Sequence, residues 1–209
     1  MDATFWHERW QTNQIGFHKS EVNPLLLRHA SRLCLKKGQI VFVPLCGKTK
    51  DLVWWRDQGL KVTGVELSPI ACDDFFREEQ ITYTKSHHHY QSESIDLYQQ
   101  DIFTFKASQG FDFIYDRAAT IALPESMRPG YIEKIKSLMG PSTKLLLLTI
   151  EYPQDKVPGP PFSVSEAEMR KAYSGMQIEL LEAKSGPLDN PRFQNLEVSE
   201  KVFLISPQG

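Results

Sequence analysis

Short apolar runs of strand length alternate with segments of helical period over most of this 209-residue chain. The run 39–44 precedes a helical segment that ends at Gly59, and the run 61–66 precedes Ser68-Pro69, an N-cap with proline at the first helical position. Such strand–helix repeats are typical of a parallel sheet with helices on both faces. The pattern therefore predicts an α/β fold.

The alternation continues toward the middle of the chain. Further strands are predicted over 94–98, 111–115 and 144–150, where apolar and β-branched residues concentrate. Between the last two of these, a helical stripe covers 131–139, and Gly140-Pro141 is expected to close it.

The character of the sequence changes after residue 150. Prolines between residues 153 and 161 predict a rigid loop that cannot join a β-ladder. Ser165 and Glu168 then form a capping-box pattern that begins another helix. The last two predicted strands, 177–183 and 201–206, are close enough in sequence to pair antiparallel.

Residues 1–37 precede the predicted sheet and are expected to form a helical extension. Asn23-Pro24 is an N-cap and first-turn pair, and four residues after it share one helical face: Leu26, Ala30, Leu33 and Cys34. No internal repeat, low-complexity tract or flexible linker interrupts the chain. We therefore expect one domain over residues 1–209, with an N-terminal cover over 1–37 and a sheet core over 38–209.

Composition and charge argue against several classes of protein. Lysine and arginine total 24 against 26 aspartate and glutamate, so the net charge of -2 gives no long-range field that favours nucleic acid or an anionic membrane surface. The longest apolar run, Leu145 to Leu148 with Thr149 and Ile150 after it, is far short of the roughly 20 residues that span a bilayer, and no export signal is visible. The three cysteines lack C-x-x-C spacing, which argues against a disulfide framework or a cysteine zinc site and indicates a reducing cytoplasm.

The first strand-to-helix turn is the place to search for a site, because ligands of open parallel sheets bind beyond the carboxyl ends of the strands. The turn contains Gly47-Lys48-Thr49, which resembles the end of a phosphate-binding loop. That motif needs a glycine where Phe42 stands, and the dinucleotide fingerprint is absent as well, because Gly47 is the one glycine of the turn. A nucleotide triphosphatase and a nicotinamide-dependent oxidoreductase are both disfavoured.

Glu66 ends the second predicted strand, 19 positions after Gly47. At this place an acidic side chain accepts hydrogen bonds from the hydroxyls of a ribose. A ribose-binding carboxylate beside a turn without phosphate-cradling glycines favours a nucleoside-type cofactor that lacks phosphates, of which S-adenosylmethionine is the commonest. The alternative is a glutamate at a strand end that binds nothing.

Several segments then match one family in order and spacing, from residue 5 to about residue 205. Together they resemble the thiopurine S-methyltransferase family: FWHERW at 5–10 with IGFH at 15–18, VPLCGK at 43–48, GVELS at 64–68, YDRAA at 115–119 and PGPPF at 158–162. The resemblance implies a Rossmann-like class I methyltransferase fold with a mostly parallel seven-stranded sheet and an N-terminal cover. It also implies a cytoplasmic monomer that uses S-adenosylmethionine and no metal.

The resemblance also implies roles for individual residues. On the cofactor side, Trp10 packs on the methionine end, Leu45 lines the cleft, Glu66 holds the ribose, and Asp101 and Ile102 flank the adenine, while Arg117 lies near both cofactor and acceptor. On the acceptor side, Phe17 contacts the aromatic substrate and Arg192 resembles a substrate-side arginine by its place in a late loop. The implied acceptors are thiopurines and other aromatic thiols, and bacterial relatives resemble enzymes that act on selenium or tellurium compounds.

A mechanism for sulfur methylation follows from these residues. An aromatic thiol is acidic enough to ionise near neutral pH, so a strong catalytic base is unnecessary. Arg117, and with it Arg192, is expected to favour the anionic acceptor, while Trp10 and Phe17 exclude water. Asp116 either takes the departing proton or only orients Arg117.

Plainer interpretations of these residues stay open. Trp6 and Trp10 are four positions apart and share a helical face, as packing residues do, and Arg117 alternatively forms a structural salt bridge. Cys46 is expected to be a small buried turn residue rather than a nucleophile, and His87-His88-His89 a solvated loop rather than a metal site. Two alternative functions stay open: a nicotinamide-dependent oxidoreductase on a similar sheet, and a catalytically silent, nucleoside-binding relative.

Overall fold

The computed structural model of the protein describes residues 3–188 and 190–208, in which α-helices and β-strands alternate. The helices are α1 (Ala3–Gln11), α2 (Pro24–His29), α3 (Asp51–Asp57), α4 (Pro69–Glu78), α5 (Arg128–Ser137) and α6 (Glu166–Ala172). The strands are β1 (Ile40–Pro44), β2 (Lys61–Glu66), β3 (Thr84–Ser86), β4 (His89–Gln91), β5 (Ile95–Gln99), β6 (Phe111–Arg117), β7 (Met139–Glu151), β8 (Met176–Gly186) and β9 (Val198–Pro207). Within the described ranges, no helix has the length and apolarity needed to cross a bilayer.

The chain divides into two compact units, one ending at Phe113 and one beginning at Ile114. In the first unit the strand order is β3-β4-β5-β2-β1, with β1 and β2 and also β2 and β5 parallel. The hairpin β3–β4 and the pair β4–β5 are antiparallel. In the second unit the order is β6-β7-β9-β8, and β9 pairs antiparallel with both β7 and β8.

The described residues thus contain nine strands, two more than the seven that the resemblance implies. The two additional strands are the hairpin β3–β4, and without it the count is seven. The sequence does not reveal this hairpin because all three residues of β3 are exposed and polar, so no apolar run marks it.

The histidine run is only partly the solvated loop that the sequence predicts. His87 occupies the hairpin turn with a positive φ of 54°, and His88 is exposed. His89, however, belongs to β4, where its ring stacks on Tyr98 of β5 with centroids 4.3 Å apart. Cross-strand pairing thus leaves the His89 side chain partly buried.

In the N-terminal segment, α2 begins at the predicted cap and first-turn pair Asn23-Pro24. Asn23 caps α2, because its side-chain oxygen accepts the Leu25 N–H at 2.8 Å. The predicted common face holds for Leu26 and Leu33, which are buried, but not for Cys34. After a 3-10 turn, Cys34 takes a left-handed φ of 54° and its side chain is exposed.

In the second unit, Gly140-Pro141 does not close the predicted helix. Helix α5 ends at Ser137, and β7 already begins at Met139 and runs through Gly140 and Pro141. Proline is tolerated near the start of a strand, where its missing N–H interrupts few ladder bonds. Ser165 caps α6 as predicted and accepts the Glu168 N–H at 3.1 Å.

The parallel strands of the first unit end level with one another. Pro44 at the end of β1 lies opposite Val65 of β2, and Glu66 at the end of β2 lies opposite Gln99 at the end of β5. Residues that follow these strand ends therefore gather at one edge of the sheet.

Candidate active site

The turn after β1 is held to the end of β2 by the Glu66 carboxylate and by a backbone hydrogen bond from the Cys46 N–H to the Val65 carbonyl at 3.1 Å. Glu66 Oε2 accepts the backbone N–H of Gly47 at 2.8 Å, and Oε1 accepts the N–H of Ser68 at 2.7 Å. Leu45 and Gly47 both have left-handed backbones, with φ of 47° and 53°. Glycine adopts this conformation freely, whereas Leu45 needs its surroundings to hold it there.

Glu66 is a buried carboxylate, with 6% of its surface exposed. Burial raises its pKa above the ordinary value of 4.5, and the hydrogen bonds from the backbone oppose that rise. A carboxylate has about four acceptor positions on its two oxygens. Each oxygen of Glu66 therefore keeps acceptor capacity for the hydroxyls of a ribose beside the backbone N–H that it already binds.

Aromatic side chains of the N-terminal cover lie on the same turn. Trp10 is 6% exposed, and a Cβ added to Gly47 would lie 3.3 Å from its ring. Phe17 makes edge-to-face contacts with Trp10 and Trp6 at centroid distances of 5.6 and 5.5 Å. Trp6 and Trp10 thus share one helical face as predicted, and Phe17, 39% exposed, is the ring of this group most open to a ligand.

The contacts of Lys48, which follows Gly47, argue against a phosphate-binding role. Its buried ammonium group contacts Glu78 at 2.7 Å and Asp74 at 3.4 Å, both on α4. The lysine of the phosphate-loop-like Gly47-Lys48-Thr49 sequence is thus engaged by carboxylates. This contact fits a cofactor that brings no phosphate to the turn.

Asp101 and Ile102 follow the end of β5, beside the end of β2. The Gln100 N–H donates to the Glu66 carbonyl at 2.9 Å and joins the two strand ends. Asp101 is exposed, and its Oδ1 accepts the Phe103 N–H at 2.9 Å, which fixes a short Asx turn. Ile102 is buried beside it.

Cys46 is buried in the same turn, as the sequence predicts. Burial raises its thiol pKa well above the ordinary value of 9.0, and the nearby Glu66 charge raises it further. Gly64 of β2 leaves room for this side chain, because a Cβ there would lie 2.8 Å from Cys46 Sγ and 2.5 Å from Leu97. A thiol held neutral in this way is a packing group rather than a nucleophile.

In the second unit, Asp116 is fully buried near the end of β6. Its Oδ1 accepts the Thr120 N–H at 3.0 Å, and its Oδ2 accepts the Thr120 hydroxyl at 2.6 Å and the Tyr131 hydroxyl at 2.8 Å. Burial raises its pKa above 3.8, while these donors lower it. The contacts tie the segment after β6 to α5, which supports an orienting role for Asp116.

Arg117 is the last residue of β6 and is partly buried. Its guanidinium makes no hydrogen bond or ion pair with any residue of 3–188 or 190–208, so the salt-bridge alternative has no partner there. Ala118 directly after it has a left-handed φ of 66°, and the Asp116 contacts hold this bend. Arg117 thus presents an uncommitted cation at a strand end.

Arg192 lies in the second unit, where it holds the proline loop. Its guanidinium donates to the Pro160 carbonyl at 2.6 Å and to the Pro158 carbonyl. Tyr152 supports the same loop, since its hydroxyl donates to the Pro161 carbonyl at 2.6 Å. The structure therefore gives Arg192 a loop-binding contact that its place in the sequence does not reveal.

Within the first unit, contacts thus connect Trp10, the turn with Leu45, and Glu66, while Asp101 and Ile102 follow the adjoining strand end. The sequence did not predict four contacts that support the candidate site residues. Lys48 donates to Glu78 of α4, and Thr120 and Tyr131 donate to Asp116. Tyr152 donates to the proline loop. The four-residue spacing of Asp116 and Thr120 was the one available signal. The other pairs are separated by up to 30 positions and carry no local pattern.

Comparison with known proteins identifies the family. The family model of thiopurine S-methyltransferase (TPMT) matches residues 1–206. A thiopurine S-methyltransferase from Pseudomonas paraeruginosa is 48% identical over 215 residues, which cover 98% of this chain and 99% of that protein. Another from Vibrio vulnificus is 43% identical over 212 residues and covers 98% and 97%.

Solved structures agree in fold. The 1,6-didemethyltoxoflavin-N1-methyltransferase of Burkholderia thailandensis, solved with bound 1,6-didemethyltoxoflavin and S-adenosylhomocysteine, superposes with a TM-score of 0.66 at 14% identity, covering 98% of this chain and 87% of that one. The fold is accordingly the Rossmann-like class I methyltransferase fold. Because the family model matches residues 1–206 and these two relatives, covered almost end to end, are 43% and 48% identical, the chain belongs to the thiopurine S-methyltransferase family.

Proposed function

We propose that this protein transfers a methyl group from S-adenosylmethionine to the sulfur of small aromatic or heterocyclic thiols. The observation that carries the proposal is the turn after β1, where Glu66 binds the Gly47 N–H and Trp10 packs on Gly47. Family membership supports the same reaction. The nicotinamide alternative is disfavoured, because the turn has one glycine, Gly47, where the dinucleotide fingerprint needs three.

The side chains of the first unit suit a phosphate-free nucleoside cofactor. Glu66 has acceptor capacity for the two ribose hydroxyls, and Asp101 and Ile102 would flank the adenine at the end of β5. Trp10 and Leu45 would cover the methionine end. When bound, S-adenosylmethionine supplies an electrophilic methyl group on a sulfonium.

The chain's own residues then have to bind and orient the acceptor. An aromatic thiol ionises enough near neutral pH that its thiolate needs stabilisation more than it needs a base. The guanidinium of Arg117, without a partner among the described residues, suits that anion, and Asp116 orients the segment that carries it. Phe17 would contact the aromatic ring and exclude water together with Trp10, and Arg192 would act on the acceptor side through the proline loop.

Calorimetric titration of the purified protein tests the cofactor. We expect binding of S-adenosylmethionine and S-adenosylhomocysteine and no binding of NAD. Binding of NAD alone would overturn the methyltransferase proposal. Cofactor binding without turnover of any acceptor would favour the catalytically silent relative.

A screen of acceptors with isotope-labelled cofactor tests the substrate class. Matched thiol, selenol and amine versions of one aromatic scaffold separate nucleophile preference from ring recognition. We expect the thiol to be methylated, the selenol to be a candidate second acceptor, and the amine to be inert. Transfer to the amine alone would contradict S-methylation.

We also propose that the protein acts as a monomer in the cytoplasm. The three cysteines are all free, and Cys34 is exposed, which suits a reducing compartment. Light scattering coupled to size exclusion would give a mass near 24.0 kDa for a monomer, and about twice that mass would contradict it.

A further inference from the structure

The buried cation of Lys48, in the turn after β1, has no role in the proposed reaction. Its side chain is 8% exposed, and its ammonium lies 2.7 Å from Glu78 and 3.4 Å from Asp74. Burying an ammonium is costly unless carboxylates compensate its charge closely. A buried and compensated cation next to Gly47 indicates that Lys48 fixes the position of the turn.

The partners of Lys48 belong to a larger network of charges on α4. Arg77 pairs with Asp74 and lies 3.9 Å from Glu78, so two cations and two carboxylates form a closed cluster. Lys50, two residues beyond Lys48, pairs with Glu79, the C-cap residue that directly follows the same helix. The segment after the turn is thus attached to α4 at two points.

The conformation of the turn shows why an attachment is needed. Leu45 and Gly47 have left-handed backbones, and a non-glycine residue keeps such a conformation only where its surroundings impose it. Glu66 binds the turn from the β2 side through the Gly47 N–H. Lys48, the residue after Gly47, is held by the carboxylates of α4, so the backbone is attached on both sides of Gly47.

We propose that Lys48 is a positioning residue for cofactor binding, which anchors the turn to Asp74 and Glu78 of α4 and so presents the turn to the nucleoside. The inference rests on the proposed function. In a phosphate-binding loop, the lysine at this place binds the phosphates of the ligand. Here Lys48 acts instead through its contacts with carboxylates of the protein.

Substitution of Lys48 by methionine keeps the apolar stem and removes the charge. In Lys48→Met we expect the dissociation constant of S-adenosylmethionine to rise about tenfold, because the turn loses its ion pairs to Asp74 and Glu78 and is no longer held ready for the nucleoside. At saturating cofactor, kcat and the KM of the thiol should stay within about twofold of wild type. Lys48→Arg should restore most of the affinity.

Lys201 offers a matched control in the second unit. Its side chain is 13% exposed and also bridges two carboxylates, Glu151 at 2.6 Å and Glu166 at 3.5 Å. Lys201→Met should lower the unfolding free energy as much as Lys48→Met does and leave the cofactor dissociation constant unchanged. Glu78→Gln is a milder second variant, because the Glu78 side chain is 40% exposed. In the double variant, the losses of cofactor affinity from Lys48→Met and Glu78→Gln should not add fully, because both remove the same ion pair.

Hydrogen exchange gives a readout that needs no turnover. With cofactor bound, the amides of residues 45–49 should exchange faster in Lys48→Met than in wild type or Lys201→Met. If Lys48→Met keeps the wild-type dissociation constant and the wild-type amide exchange rates, the inference about Lys48 is overturned and the proposed function is not. A wild-type protein that does not bind S-adenosylmethionine would instead overturn the proposed function and this inference with it.

Discussion

The carboxylate of Glu66 accepts the backbone N–H of Gly47 at 2.8 Å, across the 19 positions that separate the end of β2 from the turn after β1. The same carboxylate accepts the Ser68 N–H at 2.7 Å, so it organises the first turn and the start of α4 together. The residue that we propose to bind a ribose therefore also fixes the backbone on both sides of the proposed site.

Glu66→Gln should weaken cofactor binding. Hydrogen bonds to a charged group contribute roughly 1.5–3 kcal/mol each, and the new amide would turn an N–H group toward the Gly47 or the Ser68 N–H. We expect the dissociation constant of S-adenosylmethionine to rise at least about tenfold in calorimetry. The 73% exposed Glu133, changed to glutamine, serves as the control, and unchanged affinity in Glu66→Gln would remove Glu66 from the site.

Arg117→Ala should lower turnover far more than stability. The guanidinium has no partner among the described residues, so its removal should cost less than about 1 kcal/mol of unfolding free energy. Loss of anion stabilisation should reduce kcat/KM for the thiol by about 100-fold. Arg170→Ala, at a 47% exposed arginine of α6, is the control. Full activity of Arg117→Ala would assign the arginine to structure.

The buried carboxyl of Asp116 should leave a signature in the pH dependence of stability. Its pKa is raised above the ordinary 3.8 by burial, so the native state binds this proton at a higher pH than the unfolded state. Stability therefore falls as the pH rises through that window. Wild type should gain unfolding free energy relative to Asp116→Asn as the pH is lowered from about 7 toward 4 in urea titrations. Parallel curves for the two proteins would contradict the raised pKa.

Arg192→Lys should behave like Arg192→Ala. A guanidinium reaches the Pro158 and Pro160 carbonyls together through its fork of N–H groups, whereas an ammonium is a point charge without that geometry. Both variants should raise the KM of the thiol by about threefold or more and leave cofactor affinity unchanged. Lys156→Ala, at an exposed lysine of the same loop, is the comparison. A fully active Arg192→Lys would show that the fork is not needed.

One of the three cysteines should react with a thiol reagent in the native protein. Cys34 is exposed, whereas Cys46 and Cys72 are buried, and burial raises the pKa of both thiols. Mass spectrometry should find one label under native conditions and three in denaturant. Cys34→Ser should abolish native labelling and keep methyl transfer. Native labelling of Cys46 with loss of activity would restore it as a candidate nucleophile.

The strands around the site were predictable because their signals are local. Apolar runs marked β1, β2, β5 and β6, and Ser68 marked the start of α4 through its capping chemistry. The hairpin β3–β4 was not predictable, since its outer strand is polar and depends on pairing with β4. The end of α5 was misplaced because Gly140-Pro141 is a stop signal for a helix and is equally tolerated at the start of a strand.

Sequence by itself determined the fold class and the family and supplied the candidate residues for the cofactor side, because strand periodicity and ordered motifs are properties of the chain. Tertiary structure decided what those residues contact. Only folding brings Lys48 to Glu78 across 30 positions, and only folding buries Asp116 against Tyr131 and gives Arg192 the carbonyls of the proline loop. Hydrogen bonds and ion pairs act over a few ångströms, and no local pattern records which distant partner the fold will supply.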